Sequence, residues 1–375
     1  MVTASPPCHY RRVHTTTFQE QVLLVKSQNR DVLIRLDGSA LRIWESLEYP
    51  ISLEGICARL AGEYARPPET LAGEIEGFLA GMRERGFVET QSPPSPVDEN
   101  RYRYLGLLKR SLVNLLYPEH ELRIQALPNL NGTLDPLERV RLMRDIRYRM
   151  PDAYASLVAS KRDGHHTQHP YLFPHTLIGL QRLENLERCA EQVFADGVPG
   201  DFIEAGAWQG GAAIFLRSLQ VVWDQPERRT WVADSFQGMP PATSEVDLRF
   251  GADFPESKCP ILAYSLEAVR DNFVRYALLD DRVVFLPGWF ADTLPTAPIG
   301  PLAILRIDAD LYQSTKEVLE SLYAKVAPGG FIIVDDYGSF PGCRQAVDEF
   351  RERHGICDPL KRIDWEGVYW RRSLA

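Results

Sequence analysis

Acidic residues follow two short apolar runs in the C-terminal part of the sequence, and their types and spacing suit metal chemistry. Asp308 and Asp310 come after the run LAILRI, and Asp335 and Asp336 come after FIIV. If these runs form neighbouring strands, about 4.8 Å apart, the carboxylates share one pocket. Like charges at that distance repel each other unless a cation compensates them. The sequence therefore predicts a metal site.

The ligand type narrows the choice of metal. Oxygen ligands without His or Cys favour Mg²⁺, with Mn²⁺ or Ca²⁺ as alternatives. We expect Asp308, Asp335 and Asp336 to be the ligands. The alternative role, strongest for Asp310, is capping of a helix N-terminus.

A glycine-rich loop precedes this acidic region in the chain. The segment FIEAGAWQGG places Glu204 near the end of an apolar run, followed by three glycines. The spacing is not GxGxxG and a Walker lysine is lacking, so phosphate binding fits poorly. An acidic strand end before such a loop resembles the S-adenosylmethionine loop of class I methyltransferases. Asp234 ends the next apolar run, TWVAD, and is suited to accept hydrogen bonds from a ribose.

Several other side chains are candidates for substrate or cofactor contact. The stretch GHHTQHPYLFPHT contains four histidines and is predicted to form a substrate lid, with His175 nearest the pocket. Tyr312 and Tyr337 flank the acidic residues and are substrate candidates, with packing as the alternative. Trp289 follows Gly288 and would pack either on an adenine ring or into the core.

Strands and helices alternate from residue 201 onward. Predicted strands lie at Phe202–Ala205, Trp231–Ala233, Val283–Leu286, Leu302–Ile307 and Phe331–Val334, and predicted helices after Gly210, near Ser265–Tyr276 and over Thr315–Val326. This alternation is typical of a mostly parallel, doubly wound α/β sheet. Ligands bind beyond the carboxyl ends of such strands. The acidic residues named above fall at those ends.

The first 90 residues predict a separate small α+β domain. Short runs at Val22–Val25 and Val32–Leu36 indicate a hairpin, and three amphipathic helices follow. The segments LDGSALRIWESL, SLEGICARLAGEY and FLAGMRERGFVE resemble the winged-helix-like PqqD family of precursor-peptide recognition domains. That resemblance implies a leader peptide paired with the exposed edge of the hairpin strand. The implied contacts are Val32, Leu33, Ile34, Arg35 and Leu36.

Composition excludes several classes of protein. The chain has 375 residues, 45% hydrophobic and 25% charged, and a net charge of −9, which argues against nucleic acid or anionic membranes as partners. No apolar run is long enough for a membrane span, and the N-terminus lacks the apolar core of a signal peptide. The six cysteines show no metal-binding or disulfide spacing. We therefore expect a cytoplasmic protein with reduced thiols and two domains: residues 1–90 and 101–375, joined by a proline-rich linker at 91–100.

The C-terminal domain resembles the macrocin O-methyltransferase (TylF/MycF) family. The segments that carry this resemblance are YLGLLKRSLVNLLY, HTLIGLQRLENLERC, ADGVPGDFIEAGAWQGG, VADSFQGMPP, FLPGWFADTLP, LRIDADLYQST and PGGFIIVDDYG. It implies a Mg²⁺- and S-adenosylmethionine-dependent sugar O-methyltransferase in which Asp308 is both metal ligand and base. The cofactor residues that we assign on this basis are Glu204, Gly206, Ala207, Gly210, Asp234, Ser235, Gly288 and Trp289.

Together the two resemblances predict an enzyme that tailors a ribosomally made peptide. The N-terminal domain would hold the leader, and the C-terminal domain would methylate a hydroxyl or carboxyl oxygen of the core, with a homo-oligomer as the expected assembly. One alternative is a small-molecule sugar O-methyltransferase, of macrolide or aminocoumarin type, with a structural N-terminal module. Another is a non-catalytic peptide-binding scaffold, which the complete acidic set disfavours.

Overall fold

The computed structural model describes most of the chain. The described residues are 9–12, 22–23, 35–36, 38–64, 66–91, 95–126, 135–163 and 173–373. The chain divides into two compact units, residues 1–106 and 107–375.

The N-terminal unit contains short strands and three helices. In chain order they are β1 (His9–Arg12), β2 (Val22–Leu23), β3 (Arg35–Leu36), α1 (Gly38–Ser46), β4 (Ile51–Ser52), α2 (Leu53–Tyr64), α3 (Pro68–Glu84) and β5 (Val88–Gln91). Strands β4, β1 and β5 form one antiparallel sheet, and β2 pairs with β3. The predicted hairpin and three helices are therefore present, although residues 32–34 lie outside the described part.

The core of this unit follows the apolar spacing of its helices. In α3 the buried residues are Leu71, Ile75, Leu79 and Met82, which fall on one face because a helix turns every 3.6 residues. Leu36 is also part of this core. The Leu36 side chain is thus buried within its own domain, and pairing of a peptide with the backbone of this strand stays a prediction.

The predicted linker at residues 91–100 is wrong at both ends. Gln91 belongs to β5, and α4 (Pro96–Leu112) begins within the proline-rich stretch. Ser95 and Asp98 form a reciprocal cap: the Ser95 hydroxyl accepts the Asp98 N–H at 3.2 Å, and the Asp98 carboxylate accepts the Ser95 N–H at 3.3 Å. Pro96 suits the first helical position, where no backbone N–H is needed.

The C-terminal unit has a seven-stranded sheet with helices on its faces. Before the sheet come α5 (Glu119–Ala126), α6 (Pro136–Arg144), α7 (Ile146–Arg149), α8 (Pro151–Asp163) and α9 (Leu180–Ala195). The elements that follow are β6 (Asp201–Ala205), α10 (Gly211–Val222), β7 (Thr230–Asp234), α11 (Glu245–Phe250), α12 (Leu266–Arg275), β8 (Val283–Pro287), α13 (Phe290–Thr293), β9 (Leu302–Ile307), α14 (Tyr312–Leu322), β10 (Val326–Val334), α15 (Pro341–Arg353), β11 (Lys361–Arg362) and β12 (Val368–Arg371).

The strand order confirms the doubly wound fold. It is β11-β12-β10-β9-β6-β7-β8, with β10, β9, β6, β7 and β8 parallel, β12 antiparallel to β10, and β11 antiparallel to β12. Chain order reverses beside β6, and the carboxyl ends of β6, β7, β9 and β10 meet at one edge, which is where such sheets bind ligands. Every residue of β9 is buried, as expected for a central parallel strand.

One predicted helix is displaced. The expected helix over Thr315–Val326 starts three residues earlier and ends at Leu322, and Val326 already belongs to β10. A 3₁₀ turn at Tyr323–Lys325 makes the connection. Among the described residues, no helix combines the length and apolar character needed to cross a bilayer.

Candidate active site

The acidic residues meet where β9 and β10 end. Asp335 donates its backbone N–H to the Ile307 carbonyl at 2.9 Å, and Asp308 donates to the Ala205 carbonyl at 2.8 Å, which aligns the ends of three parallel strands. Asp308, Asp335 and Asp336 each offer a carboxylate oxygen, and these oxygens lie within 4.8 Å of one another. The geometry thus brings the three predicted metal ligands together.

Asp310 also belongs to this cluster, but in a different role from helix capping. Leu311, not Asp310, is the N-cap residue of α14. Asp310 adopts a left-handed backbone conformation with φ of 52° and donates its N–H to the Asp336 carboxylate at 3.0 Å. This strained turn ties the loop after β9 to the loop after β10.

Arg306 lies beneath the acidic cluster and was missed by the sequence analysis. It is 1% exposed on strand β9, and its guanidinium donates to Glu204 at 2.5 Å and to Asp335 at 2.7 Å. Asp308 lies 2.9 Å from the same guanidinium. An arginine within the apolar run LAILRI was the available signal, because a charge on a buried strand needs partners.

Arg182 is a second buried cation with the same function of holding carboxylates. From helix α9 it donates to Asp335 at 2.5 Å, to Asp364 at 2.8 Å and to Glu366. Both oxygens of Asp335 therefore accept an arginine N–H. The sequence offered no comparable signal for this site, since Arg182 lies in a helix that is rich in charged residues.

Crowding and burial shift several carboxyl groups towards protonation. Burial raises the pKa of Glu204 to about 8, with the Arg306 charge only partly offsetting it. Burial and the neighbouring Asp335 raise the pKa of Asp308 to about 6. Burial raises the pKa of Glu366 to about 7, and burial together with Asp310 raises that of Asp336. The charge of the cluster is thus incompletely compensated by its two arginines, which is the environment that a divalent cation would relieve.

The glycine loop packs directly against the acidic cluster. Gly206 has φ of 94°, and a β-carbon there would lie 1.7 Å from the Asp308 carbonyl oxygen, so only glycine fits. The Asp234 carboxylate accepts the backbone N–H of Ala207 at 2.7 Å and that of Phe236 at 2.7 Å. Asp234, the last residue of β7, thus fixes the conformation of the loop that follows β6.

A cavity of about 780 Å³ connects these features. The predicted cofactor residues that line it are Glu204, Gly206, Ala207, Asp234, Ser235, Gly288 and Trp289, and Asp308, Asp335 and Asp336 line it as well. Gly210 is the exception. A β-carbon there would lie 2.8 Å from Val269 of helix α12, and the role of Gly210 at the cofactor stays a prediction.

An apolar wall of the cavity comes from residues 239–263, which we call the cap. The cap contains α11 and a 3₁₀ turn at Pro260–Leu262. Its lining residues include Met239, Pro240, Pro241, Phe254, Ile261 and Leu262. Trp208 of the glycine loop donates its indole N–H to the Ile261 carbonyl at 2.9 Å. The sequence analysis did not identify this wall.

The three side chains predicted to contact substrate have other partners. The Tyr337 hydroxyl donates to Asp348 at 2.8 Å and that of Tyr312 donates to Glu349 at 2.7 Å. His175 Nδ1 lies 2.7 Å from the Tyr276 hydroxyl. None of the three lines the cavity as the described residues define it. The predicted lid residues His165, His166 and His169 lie outside the described residues.

Comparison with known proteins identifies the C-terminal unit. Residues 101–372 match the family model of macrocin-O-methyltransferase (TylF). The chain belongs to the macrocin O-methyltransferase family. It is an S-adenosylmethionine-dependent O-methyltransferase, as the glycine loop and Asp234 predicted. Residues 21–88 match the model of coenzyme PQQ synthesis protein D (PqqD), which confirms the second resemblance.

Individual relatives of this methyltransferase are O-methyltransferases, and two of them are named for small-molecule substrates. It is 51% identical over 201 residues to an 8-demethyl-8-(2,3-dimethoxy-alpha-L-rhamnosyl)-tetracenomycin-C 4'-O-methyltransferase of Streptomyces olivaceus, a match that covers 54% of this chain and 77% of that protein. It is 52% identical over 202 residues to mycinamicin III 3''-O-methyltransferase of Micromonospora griseorubida, covering 53% and 79%. The solved structure of the O-methyltransferase NovP aligns with a TM-score of 0.59 and 38% identity, covering 73% of this chain and 99% of that one.

Proposed function

We propose that this methyltransferase methylates a sugar hydroxyl of a small-molecule glycoside, with a divalent cation held by Asp308, Asp335 and Asp336. The observation that carries the proposal is the approach of three carboxylate oxygens within 4.8 Å inside the cavity that also contains the glycine loop. An all-oxygen set of three carboxylates suits Mg²⁺, with Mn²⁺ as an alternative. S-adenosylmethionine supplies the methyl group.

Different residues of the chain have different roles in the proposed reaction. A bound Mg²⁺ would lower the pKa of an acceptor hydroxyl. Asp308 is the residue suited to take the hydroxyl proton, because it lines the cavity and its side chain is 30% exposed. Arg306 and Arg182 each donate to Asp335 and thereby orient its carboxylate. Methyl transfer then depends on alignment of the two substrates, for which the rigid strand ends are suited.

The proposed acceptor is a small-molecule glycoside, whereas the sequence analysis favoured a ribosomally made peptide. The relatives described above are named as O-methyltransferases of a rhamnosyl-tetracenomycin and of mycinamicin III, which supports the small-molecule alternative better than methylation of a peptide. The vicinal oxygens of a sugar diol are also suited to chelation by one cation.

The test is methyl transfer from labelled S-adenosylmethionine to a panel of acceptors. The panel contains mycinamicin III, simpler rhamnosides, and a ribosomal peptide bearing hydroxylated residues. Labelling of a glycoside without labelling of the peptide is the expected result. Labelling of the peptide alone would overturn the proposal.

The N-terminal unit favours a second, separate function. Because residues 21–88 match the PqqD model, we propose that this unit binds a peptide by pairing with a strand edge. Of the predicted contact strand, the structure describes Arg35 and Leu36, which pair with Leu23 and Val22. Fluorescence anisotropy of labelled leader peptides with the full chain tests this function, and absence of binding for every peptide encoded near the gene would contradict it.

A further inference from the structure

A buried aspartate of the cap, Asp247, lies between the first turns of two helices. Its Oδ2 accepts the backbone N–H of Tyr312, the first residue of α14, at 3.0 Å, and also accepts the Ser244 hydroxyl at 2.7 Å. Its Oδ1 faces Gly342 in the first turn of α15, so closely that a β-carbon on Gly342 would lie 1.8 Å away. Asp247 is 1% exposed.

Both helices lack a capping side chain of their own. The N-cap residues are Leu311 for α14 and Phe340 for α15, and neither provides a side-chain hydrogen bond. Helix N-termini carry partial positive charge and unpaired N–H groups, which a carboxylate stabilises. Asp247 therefore supplies from the cap the hydrogen-bond acceptor that the α14 N-terminus lacks, and its other oxygen lies against the first turn of α15.

These N-termini are continuous with the acidic cluster. Helix α14 begins two residues after Asp310, and α15 begins five residues after Asp336. The Phe340 N–H donates to the Asp336 carbonyl at 2.9 Å, which fixes the short turn between that residue and α15. A displacement of either first turn would therefore move a loop that carries cluster carboxylates.

The surroundings of Asp247 Oδ1 indicate that packing within the cap holds the Asp247 side chain in position. Among the described residues, Oδ1 is buried without a hydrogen-bond donor, an unfavourable arrangement that the surrounding packing must offset. Beside it, the rings of Phe250 and Phe340 pack edge to face at 6.3 Å. The absence of a side chain at Gly342 provides the room for this oxygen.

We infer that Asp247 is a positioning residue that fastens the cap to α14 and α15 and thereby sets the acceptor side of the cavity. This inference rests on the proposed function. The Asp247 end of the cap adjoins the acidic cluster, whereas the Ile261 end is held by Trp208 of the glycine loop. Loss of the Asp247 contacts should thus weaken acceptor binding and leave cofactor binding in place.

A double-mutant cycle with Gly342 tests the inference. In Gly342→Ala the new methyl group displaces the Asp247 carboxylate, and we expect the acceptor KM to rise at least tenfold while the S-adenosylmethionine Kd, measured by calorimetry, changes less than twofold. In an Asp247→Ala background, Gly342→Ala should raise the acceptor KM less than twofold, because the carboxylate that the new methyl group would displace is no longer present. Glu245→Gln, at an exposed position of the same helix, is the control and should leave both constants unchanged.

Amide hydrogen exchange gives a readout that does not require turnover. Asp247→Asn keeps the shape of the side chain but loses its charge, and exchange at the Tyr312 amide and across the cap should accelerate. Additive effects in the cycle, or unchanged exchange at Tyr312, would overturn the inference. Failure of the wild-type protein to methylate any glycoside would instead overturn the proposed function and leave the exchange result standing.

Discussion

Arg306 and Asp335 face each other at the ends of neighbouring parallel strands, and the guanidinium donates to the carboxylate at 2.7 Å. Because Arg306 also donates to Glu204, one buried cation spans the floor of the cavity from β6 to β10. Arg182 takes the second oxygen of Asp335 from another direction. Two buried arginines therefore hold the Asp335 carboxylate in place within the acidic cluster.

Arg306→Met tests how strongly the protein depends on this cation. Removal of one partner of a buried ion pair leaves uncompensated charge, so we expect the free energy of unfolding to fall by about 3–5 kcal/mol. Urea denaturation measures the change. Arg353→Met is the matched control, because Arg353 forms an exposed pair with Glu320 and its loss should cost less than about 1 kcal/mol. Equal losses for the two variants would contradict the role of Arg306.

These arginines also mark the limit of inference from the sequence. The strand ends and the carboxylates after them could be predicted, since apolar runs followed by Asp or Glu are local patterns. Arg182 and Arg306 are 124 residues apart, and only the closed sheet brings both to Asp335. Tertiary packing therefore determines which arginine pairs with which carboxylate.

Gly206→Ala probes the close approach between the glycine loop and β9. A β-carbon there would meet the Asp308 carbonyl oxygen at 1.7 Å, at a backbone φ of 94°. We expect a loss of more than about 2 kcal/mol in stability together with weaker S-adenosylmethionine binding. Gly300→Ala is the control, since a β-carbon there meets no atom within 4 Å, and calorimetry should show a change under about 0.5 kcal/mol. Equal losses of stability in the two variants would contradict a close approach between Gly206 and the Asp308 carbonyl oxygen.

His175 should make stability depend on pH. Burial and the nearby Arg275 lower the pKa of His175 below its ordinary value of about 6.5, so the unfolded chain takes up the proton first as the pH falls. The stabilisation contributed by neutral His175 is therefore present above about pH 6.5 and is lost as the pH falls through the folded-state pKa. We predict that the difference in thermal midpoint between wild type and His175→Gln narrows from pH 7.5 to pH 5. Parallel curves for the two proteins would show that His175 does not titrate in this way.

Mg²⁺ should stabilise the protein through the acidic cluster. A cation bound only by the native state at 100 times its Kd adds about 2.7 kcal/mol of stability. Asp336→Asn should remove most of this stabilisation, because it deletes one of three oxygen ligands. Asp281→Asn, at an exposed site, should retain it. Thermal unfolding with and without Mg²⁺ measures the difference, and an equal Mg²⁺ effect in both variants would place the ion elsewhere.

The substrate side of the cavity was the least predictable part. Tyr312 and Tyr337 lie next to the acidic residues in sequence, but their hydroxyls turn towards Glu349 and Asp348 on α15. The apolar wall comes instead from the cap, whose loops and short turns carry no periodic pattern. Proximity along the chain therefore predicted the carboxylates that meet at the strand ends, and failed for residues placed by irregular segments.

We propose that the acidic cluster binds the cation required for sugar methylation. The most direct measurement is labelled methyl transfer to a glycoside before and after exhaustive chelation, followed by return of Mg²⁺. We predict that chelation abolishes transfer and that Mg²⁺ restores it in the wild type but not in Asp336→Asn. Transfer that continues at an unchanged rate after chelation would contradict the claim.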